Sequence, residues 1–173
     1  DVQTNLTRNG DLLSWNLQGS STYPITDINP TSGTVGTTVS LKVNRDFASG
    51  GLFFGGAEID TVAAGNNTTD AIFPFDIPES AAGIQTVKLG QSEVFFTVVS
   101  SVTVTPTTTI NIGDSVSVVG KGYPANTRYT VKFNQIGIVT GIAQANGSFT
   151  SSFELPVVPQ GTTYSVVVTA DSG

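Results

Sequence analysis

One sequence pattern occurs twice in the chain, and this internal repeat limits the possible folds more than any other feature. Pro30 in the first copy corresponds to Pro106 in the second, and each is followed by a Gly-containing turn and an alternating apolar segment. Gly83 and Gly161 correspond in the same way, and each opens a closing segment. Equivalent positions are offset by 76 to 78 residues. Self-similarity at a nearly constant offset indicates two structural modules of one kind.

Apolar and polar residues alternate within both copies, with the period of two residues that half-buried β-strands show. Val39, Leu41 and Val43, for example, are separated by polar residues. No window of helical length has apolar residues spaced three and four apart. Asn146-Gly147 lies between two alternating segments and predicts a β-hairpin turn, because both residues tolerate positive φ.

The repeat and the strand pattern together predict an all-β fold of two tandem immunoglobulin-like β-sandwich domains with an N-terminal extension strand. Residues 1–22 are the extension, residues 23–99 the first module and residues 100–173 the second module. We expect each module to be a sandwich of the seven-strand type.

The composition excludes several classes of function. The chain has no Cys, His or Met, so it can form no disulfide and none of the usual zinc, copper or haem sites, and we expect no cofactor and no metal. The net charge is −6, and the seven basic residues are scattered along the chain, which argues against nucleic acid and against a basic membrane-binding face. No hydrophobic run approaches 18 residues, so we also expect no insertion into a membrane.

Turn and core residues of both modules resemble known families. Residues 28–36, Ile-Asn-Pro-Thr-Ser-Gly-Thr-Val-Gly, and Phe54-Gly-Gly56 resemble IPT/TIG domains, which share an immunoglobulin-like fold. Residues 120–127 and Asn146-Gly-Ser-Phe149 are similar to the immunoglobulin-like repeats of archaeal and bacterial cell-surface proteins. These resemblances imply an extracellular or cell-surface location. They specify the fold well and the function poorly, because the matching residues form turns and core.

The N-terminal extension has no counterpart in the repeat. Leu12 and Leu13 open an alternating segment in which Leu13, Trp15 and Leu17 share one face, and Trp15 is the chain's only tryptophan. This strand could pair with the edge of its own first module, remain a flexible tail, or insert into a neighbouring subunit. The third alternative resembles the donor-strand complementation of pili and archaeal threads. It implies a homo-oligomer, a head-to-tail polymer in which burying the three apolar side chains contributes roughly 5 to 8 kcal/mol.

Four Asn residues stand in sequons for N-glycosylation, and they make glycans possible partners: Asn5, Asn66, Asn67 and Asn146. Their number is near the number that chance would give in a chain this rich in Ser and Thr. The alternative role of Asn146 is that of a turn residue.

Acid–base catalysis could use only carboxylates, as in glycoside hydrolases. Glu58 and Asp60 share a strand face opposite Ile59, and Asp76 stands between two apolar residues, so we expect these acids to be solvated. The chain is therefore predicted not to be an enzyme. The neighbours Phe53-Phe54 and Phe95-Phe96 must each place one ring away from the core, which would mark an interface.

The sequence therefore predicts a structural subunit of an extracellular filament or surface layer, polymerising through its N-terminal strand. The alternative is a non-catalytic binding or spacer pair from a larger secreted or surface protein, with a role in adhesion or carbohydrate binding.

Overall fold

The computed structural model describes residues 3–9, 12–18, 24–44, 47, 49–63, 70–108 and 110–171, with the backbone alone for the first two ranges. Throughout these ranges the regular secondary structure consists of β-strands. This confirms the predicted all-β fold class.

The N-terminal extension contains two strands rather than the single strand that we predicted. Strands β1 (Gln3–Asn9) and β2 (Leu12–Gln18) pair antiparallel as a two-stranded sheet, with Leu6 opposite Trp15. The apolar alternation that predicted β2 is missing from β1, where Leu6 is the only large apolar residue. Gly10-Asp11, which separates the two strands, is a hairpin signal that predicts this pairing.

The described residues of the first module form eight strands in two sheets. They are β3 (Ile25–Asn29), β4 (Ser32–Gly33), β5 (Thr38–Val43), β6 (Gly50–Phe54), β7 (Ala57–Val62), β8 (Ala71–Asp76), β9 (Gly83–Leu89) and β10 (Ser92–Val98). One sheet has the order β3-β5-β8, and the other has the order β4-β10-β9-β6-β7.

The second module contains six strands in the part of the chain that is described. They are β11 (Ser101–Thr105), β12 (Ser115–Lys121), β13 (Arg128–Phe133), β14 (Ile136–Ile142), β15 (Phe149–Glu154) and β16 (Val166–Ala170). They form the sheets β11-β12-β15 and β14-β13-β16. Two antiparallel sheets in this order form an immunoglobulin-like sandwich. The described residues thus hold six strands here and eight in the first module, where we expected sandwiches of the seven-strand type.

The alternating residues of the first module face its core, as predicted. Val39, Leu41 and Val43 are at most 1% exposed, and the polar residues between them are exposed. The two phenylalanine pairs also divide between the faces as predicted, since Phe96 is fully buried and Phe95 is 60% exposed.

The core of the second module is built around stacked aromatic rings. Tyr129 and Phe149 stack with 3.8 Å between their ring centroids, and Tyr123 meets Phe149 edge-on at 5.0 Å. Gly120 lies directly beneath the ring of Phe149, where a Cβ atom would overlap the ring. Burial raises the pKa of the Tyr123 hydroxyl above its ordinary value of 10.0.

We expect Gly120→Ala to destabilise the second module by about 1 to 3 kcal/mol, because Phe149 is held by Tyr129 and cannot move away from an added methyl group. The matched control is Ser117→Ala, on the other face of the same strand, which should change the stability by less than about 0.5 kcal/mol. Chemical denaturation followed by circular dichroism measures both. Equal midpoints for the two variants would contradict this description of the core.

The predicted hairpin at Asn146-Gly147 is wrong. A turn is present, with Gly147 at a φ of 73° and its N–H donating to Gln144 O at 2.9 Å. The strands on either side belong to different sheets, however, so the turn carries the chain from β14 to β15 across the sandwich. Among the described residues of this module, positive φ at two successive residues occurs at Asn134-Gln135, which joins the paired strands β13 and β14.

The described chain divides into two compact units that do not coincide with the sequence repeat. The first unit draws on Asp1–Thr31, Thr38–Phe75 and Thr86–Phe95, and the second on Ser32–Thr37, Asp76–Gln85 and Phe96–Gly173. Within the second unit, Ala82 N–H donates to Tyr123 O at 3.1 Å. The proposed boundaries after residues 22 and 99 stay predictions.

Candidate functional site

A groove of about 990 Å³ opens in the second module. It lies between the segment that follows β11 and the segment that leads into the first residue of β16. Most of the side chains that line it are apolar, among them Val104, Phe133, Phe153, Leu155 and Val166. A groove of this size with apolar walls is a candidate binding site.

Val166, the first residue of β16, lines the groove together with residues 158–162 and Tyr164, and in the described ranges β16 pairs along one edge. Its partner is β13, with Phe133 opposite Val166. The equivalent strand of the first module is β9, where Phe54 lies opposite Val87, and β9 has two neighbours, β6 and β10. Among the described residues, no strand of the second module corresponds to β10. The free edge of β16 therefore presents unpaired backbone groups beside the groove.

The core of the second module is less covered at the positions nearest this edge. Four core residues of the first module are at most 7% exposed, whereas their equivalents in the second module are half-buried. The equivalent pairs are Val87 and Val166, Leu89 and Val168, Phe75 and Phe153, and Ile77 and Leu155. The second module thus exposes apolar surface that a further strand would cover.

The opposite wall of the groove also corresponds to a segment of the first module, and there that segment is a strand paired within a sheet. There, β4 follows Pro30 and runs parallel to β10, with Ser32 opposite Thr97. In the second module, Pro106 is followed by groove-lining residues that include Thr107 and Thr108, and these two residues are not in a strand. Thr108 on one side of the groove and Val166 on the other therefore correspond to residues of β4 and β9, the strands that flank β10 in the first module.

The predicted interface residues Leu12, Leu13, Trp15 and Leu17 all lie in β2, which confirms that this segment forms a strand. Leu13, Trp15 and Leu17 occupy alternate positions, so they share one face of β2. Their side chains lie outside the described part of the structure. Whether they form an interface stays a prediction.

The predicted glycosylation sites are only partly described. Asn5 lies in β1, where the backbone alone is described, and Asn66 and Asn67 lie outside the described residues. Asn146 Nδ2 donates to Glu79 Oε2 at 2.9 Å. The Asn146 Oδ1 atom accepts from the Ser148 hydroxyl at 2.8 Å. Glycosylation at all four sites stays a prediction.

The candidate catalytic carboxylates are exposed, as predicted. Glu58 and Asp60 project from β7 on either side of the half-buried Ile59, and Asp76 is exposed at the end of β8. Glu79 lies 3.2 Å from Lys121 Nζ, an ion pair between residues far apart in the sequence. In the described ranges, no three acidic residues come together as metal ligands. The same ranges hold no helix long and apolar enough to cross a membrane.

Comparison with known proteins adds little to this description. No family model and no curated protein matches the sequence. Among solved structures, the human OSCAR ligand-binding domain matches with 15% sequence identity and a TM-score of 0.30, over 86% of this chain and 98% of that chain. The assignment of immunoglobulin-like sandwiches rests on the strand order described above.

Proposed function

We propose that the chain is a structural subunit of an extracellular filament or surface layer, in which the N-terminal segment of one subunit inserts into the next. The observation that carries this proposal is the separate two-stranded sheet that β1 and β2 form. An isolated two-stranded hairpin is at best marginally stable in water. A strand with three large apolar residues on one face gains stability when a partner covers that face.

The energetics support a stable joint. Burying Leu13, Trp15 and Leu17 contributes roughly 5 to 8 kcal/mol before the cost of ordering the segment. The backbone groups of an inserted strand add hydrogen bonds to the edge that accepts it. Donor and acceptor are different surfaces, so the contact is head-to-tail and generates an open filament unless the rotation closes a ring.

The rest of the molecule supports a structural role rather than a catalytic one. The acids that sequence analysis singled out are exposed, and the chain has no His or Cys that could act as a base or nucleophile. Immunoglobulin-like modules serve widely as binding and structural units. The resemblance to cell-surface repeats supports an extracellular location.

A second candidate is a binding or spacer pair from a larger surface protein. The observation that favours it is the exposed apolar surface of the first module, where Ile72, Ile84 and Phe95 are 66%, 73% and 60% exposed. Such side chains contribute to contacts with other molecules. In this case the chain would stay monomeric at high concentration.

Electron microscopy of concentrated protein tests the proposed assembly. We expect fibres from the full chain and none after deletion of residues 1–22. A triple variant with Leu13, Trp15 and Leu17 changed to Ser should also form no fibres, because it removes the apolar face of β2. The matched control changes Ser14, Asn16 and Gln18 to Ala, on the other face, and should still form fibres. Undiminished fibres after the deletion would contradict the proposal.

A further inference from the structure

The first module shows what kind of strand completes this sandwich. There, β10 lies between β9 and β4 in the sheet. Its inward positions are Ser92, which is 6% exposed, Val94, which is half-buried, and Phe96 and Val98, which are 0% and 2% exposed. The completing strand therefore carries three apolar residues at alternate positions, with a large aromatic residue in the middle.

The N-terminal strand β2 has the same length and the same pattern. Strands β2 and β10 are each seven residues long. On one face of β2, Trp15 stands between Leu13 and Leu17, as Phe96 stands between Val94 and Val98 on the inward face of β10. In β2 the intervening residues Ser14 and Asn16 are polar, as solvent-facing positions of an antiparallel sheet commonly are.

The second module offers the matching place for such a strand. Its groove lies between Val166, at the start of β16, and a side that includes Thr107 and Thr108. Val166 and Thr108 correspond to residues of the two strands that flank β10 in the first module. Val166 and Val168 on the inward face of β16 are half-buried, whereas their equivalents Val87 and Leu89 are fully buried. A strand with an apolar inward face would cover them.

We propose that β2 of one chain occupies, in the second module of another copy, the position that β10 occupies in the first module. This inference rests on the proposed head-to-tail assembly and names its acceptor. Trp15 takes the place of Phe96, and β2 runs parallel to Thr107 and Thr108, as β10 runs parallel to β4. The occupant is a second copy because β2 matches β10 in length and in its apolar face, and a head-to-tail contact joins different surfaces of two chains.

Cysteine cross-linking of the full-length chain tests this placement, since the natural sequence contains no Cys. One new Cys replaces Ser14 or Asn16 on the polar face of β2. The second replaces Val167, which is 38% exposed and alternates with the inward Val166 and Val168 of β16. A short bis-maleimide then joins thiols that lie side by side. The matched control moves the second Cys to Thr61, an exposed residue of the edge strand β7 in the first module.

We expect the Val167 pairs to give a ladder of covalent dimers, trimers and longer products on a denaturing gel, and the Thr61 pairs to give none. Electron microscopy of each double variant shows independently whether fibres form. A ladder from Thr61 but not from Val167, or fibres without either ladder, would overturn the acceptor assignment and leave the proposed polymer standing. Cross-linking within single chains would show that the occupant is not a second copy. Absence of both fibres and cross-links would overturn the proposed function as well.

Discussion

A chain that cannot donate its N-terminal strand, mixed with a chain that cannot accept one, should form complexes of two subunits but no larger assemblies. The donor-deficient chain lacks residues 1–22. The acceptor-deficient chain carries Ile112→Asp, which places a carboxylate in the groove at a residue that is now 50% exposed. Each chain alone should be monomeric, because each lacks one of the two surfaces that a head-to-tail contact needs.

The expected effect of Ile112→Asp is large. Insertion of β2 would remove the new carboxylate from water without supplying a partner, which costs several kcal/mol. Because each 1.4 kcal/mol is a factor of ten in affinity, we expect the joint to weaken by at least about 100-fold. Sedimentation velocity measures the sizes of the separate chains and of their mixture.

The matched control is Ile136→Asp, where Ile136 is 69% exposed. It introduces the same charge on β14, which lies at the edge opposite β16 in the sheet β14-β13-β16. This variant should polymerise as the natural chain does. A mixture that stays monomeric, or one that forms long polymers, would contradict the assignment of the two surfaces. Equal loss of assembly in both Asp variants would indicate a general effect of charge.

Hydrogen exchange at β16 should slow strongly when the protein assembles. In the single chain, alternate N–H groups of this edge strand point away from β13 and exchange with water readily. An inserted strand pairs these groups and covers Val166 and Val168. If the joint raises the local opening free energy by about 3 to 4 kcal/mol, exchange slows by roughly 100-fold to 1,000-fold.

Strand β9 is the internal control for this measurement, since it already lies between β6 and β10. Mass spectrometry of peptides that cover Thr86–Leu89 and Val166–Ala170 compares the two strands in dilute and assembled protein. We expect a large decrease in exchange at β16 and little change at β9. Unchanged exchange at β16 in protein that has formed fibres would show that the acceptor lies elsewhere.

Much of the fold follows from local sequence patterns. The alternation of Val39, Leu41 and Val43 predicted a strand with one buried face, because a period of two residues matches the geometry of a strand that is half-exposed. The same argument correctly placed Phe96 inward and Phe95 outward. Internal repetition showed that one strand pattern occurs twice in the chain.

Long-range pairing could not be predicted in the same way. Asn146-Gly147 has the composition of a hairpin turn, but which sheet each flanking strand joins depends on partners far away in the sequence. The ion pair between Glu79 and Lys121 is non-local for the same reason. Strand β1, in contrast, pairs locally. It was missed because it has no apolar alternation of its own, although Gly10-Asp11 is a local hairpin signal.

The candidate acceptor was also missed, although the sequence carries a signal for it. Ser92–Val98 follows the closing strand of the first copy, and within these 173 residues the second copy has no counterpart of that segment. Comparing the two copies strand by strand would have shown the difference. Its consequence, half-burial of Val166 and Val168, requires three-dimensional coordinates.

A cryo-electron microscopy map of the assembled protein tests the central claim most directly. We expect one additional strand in each second module, lying between β16 and Thr107-Thr108. Its density should show a large side chain for Trp15 at the middle position and should continue into the first module of the neighbouring subunit. A groove without a strand, or a strand that continues from Asp171 of the same subunit, would contradict the account.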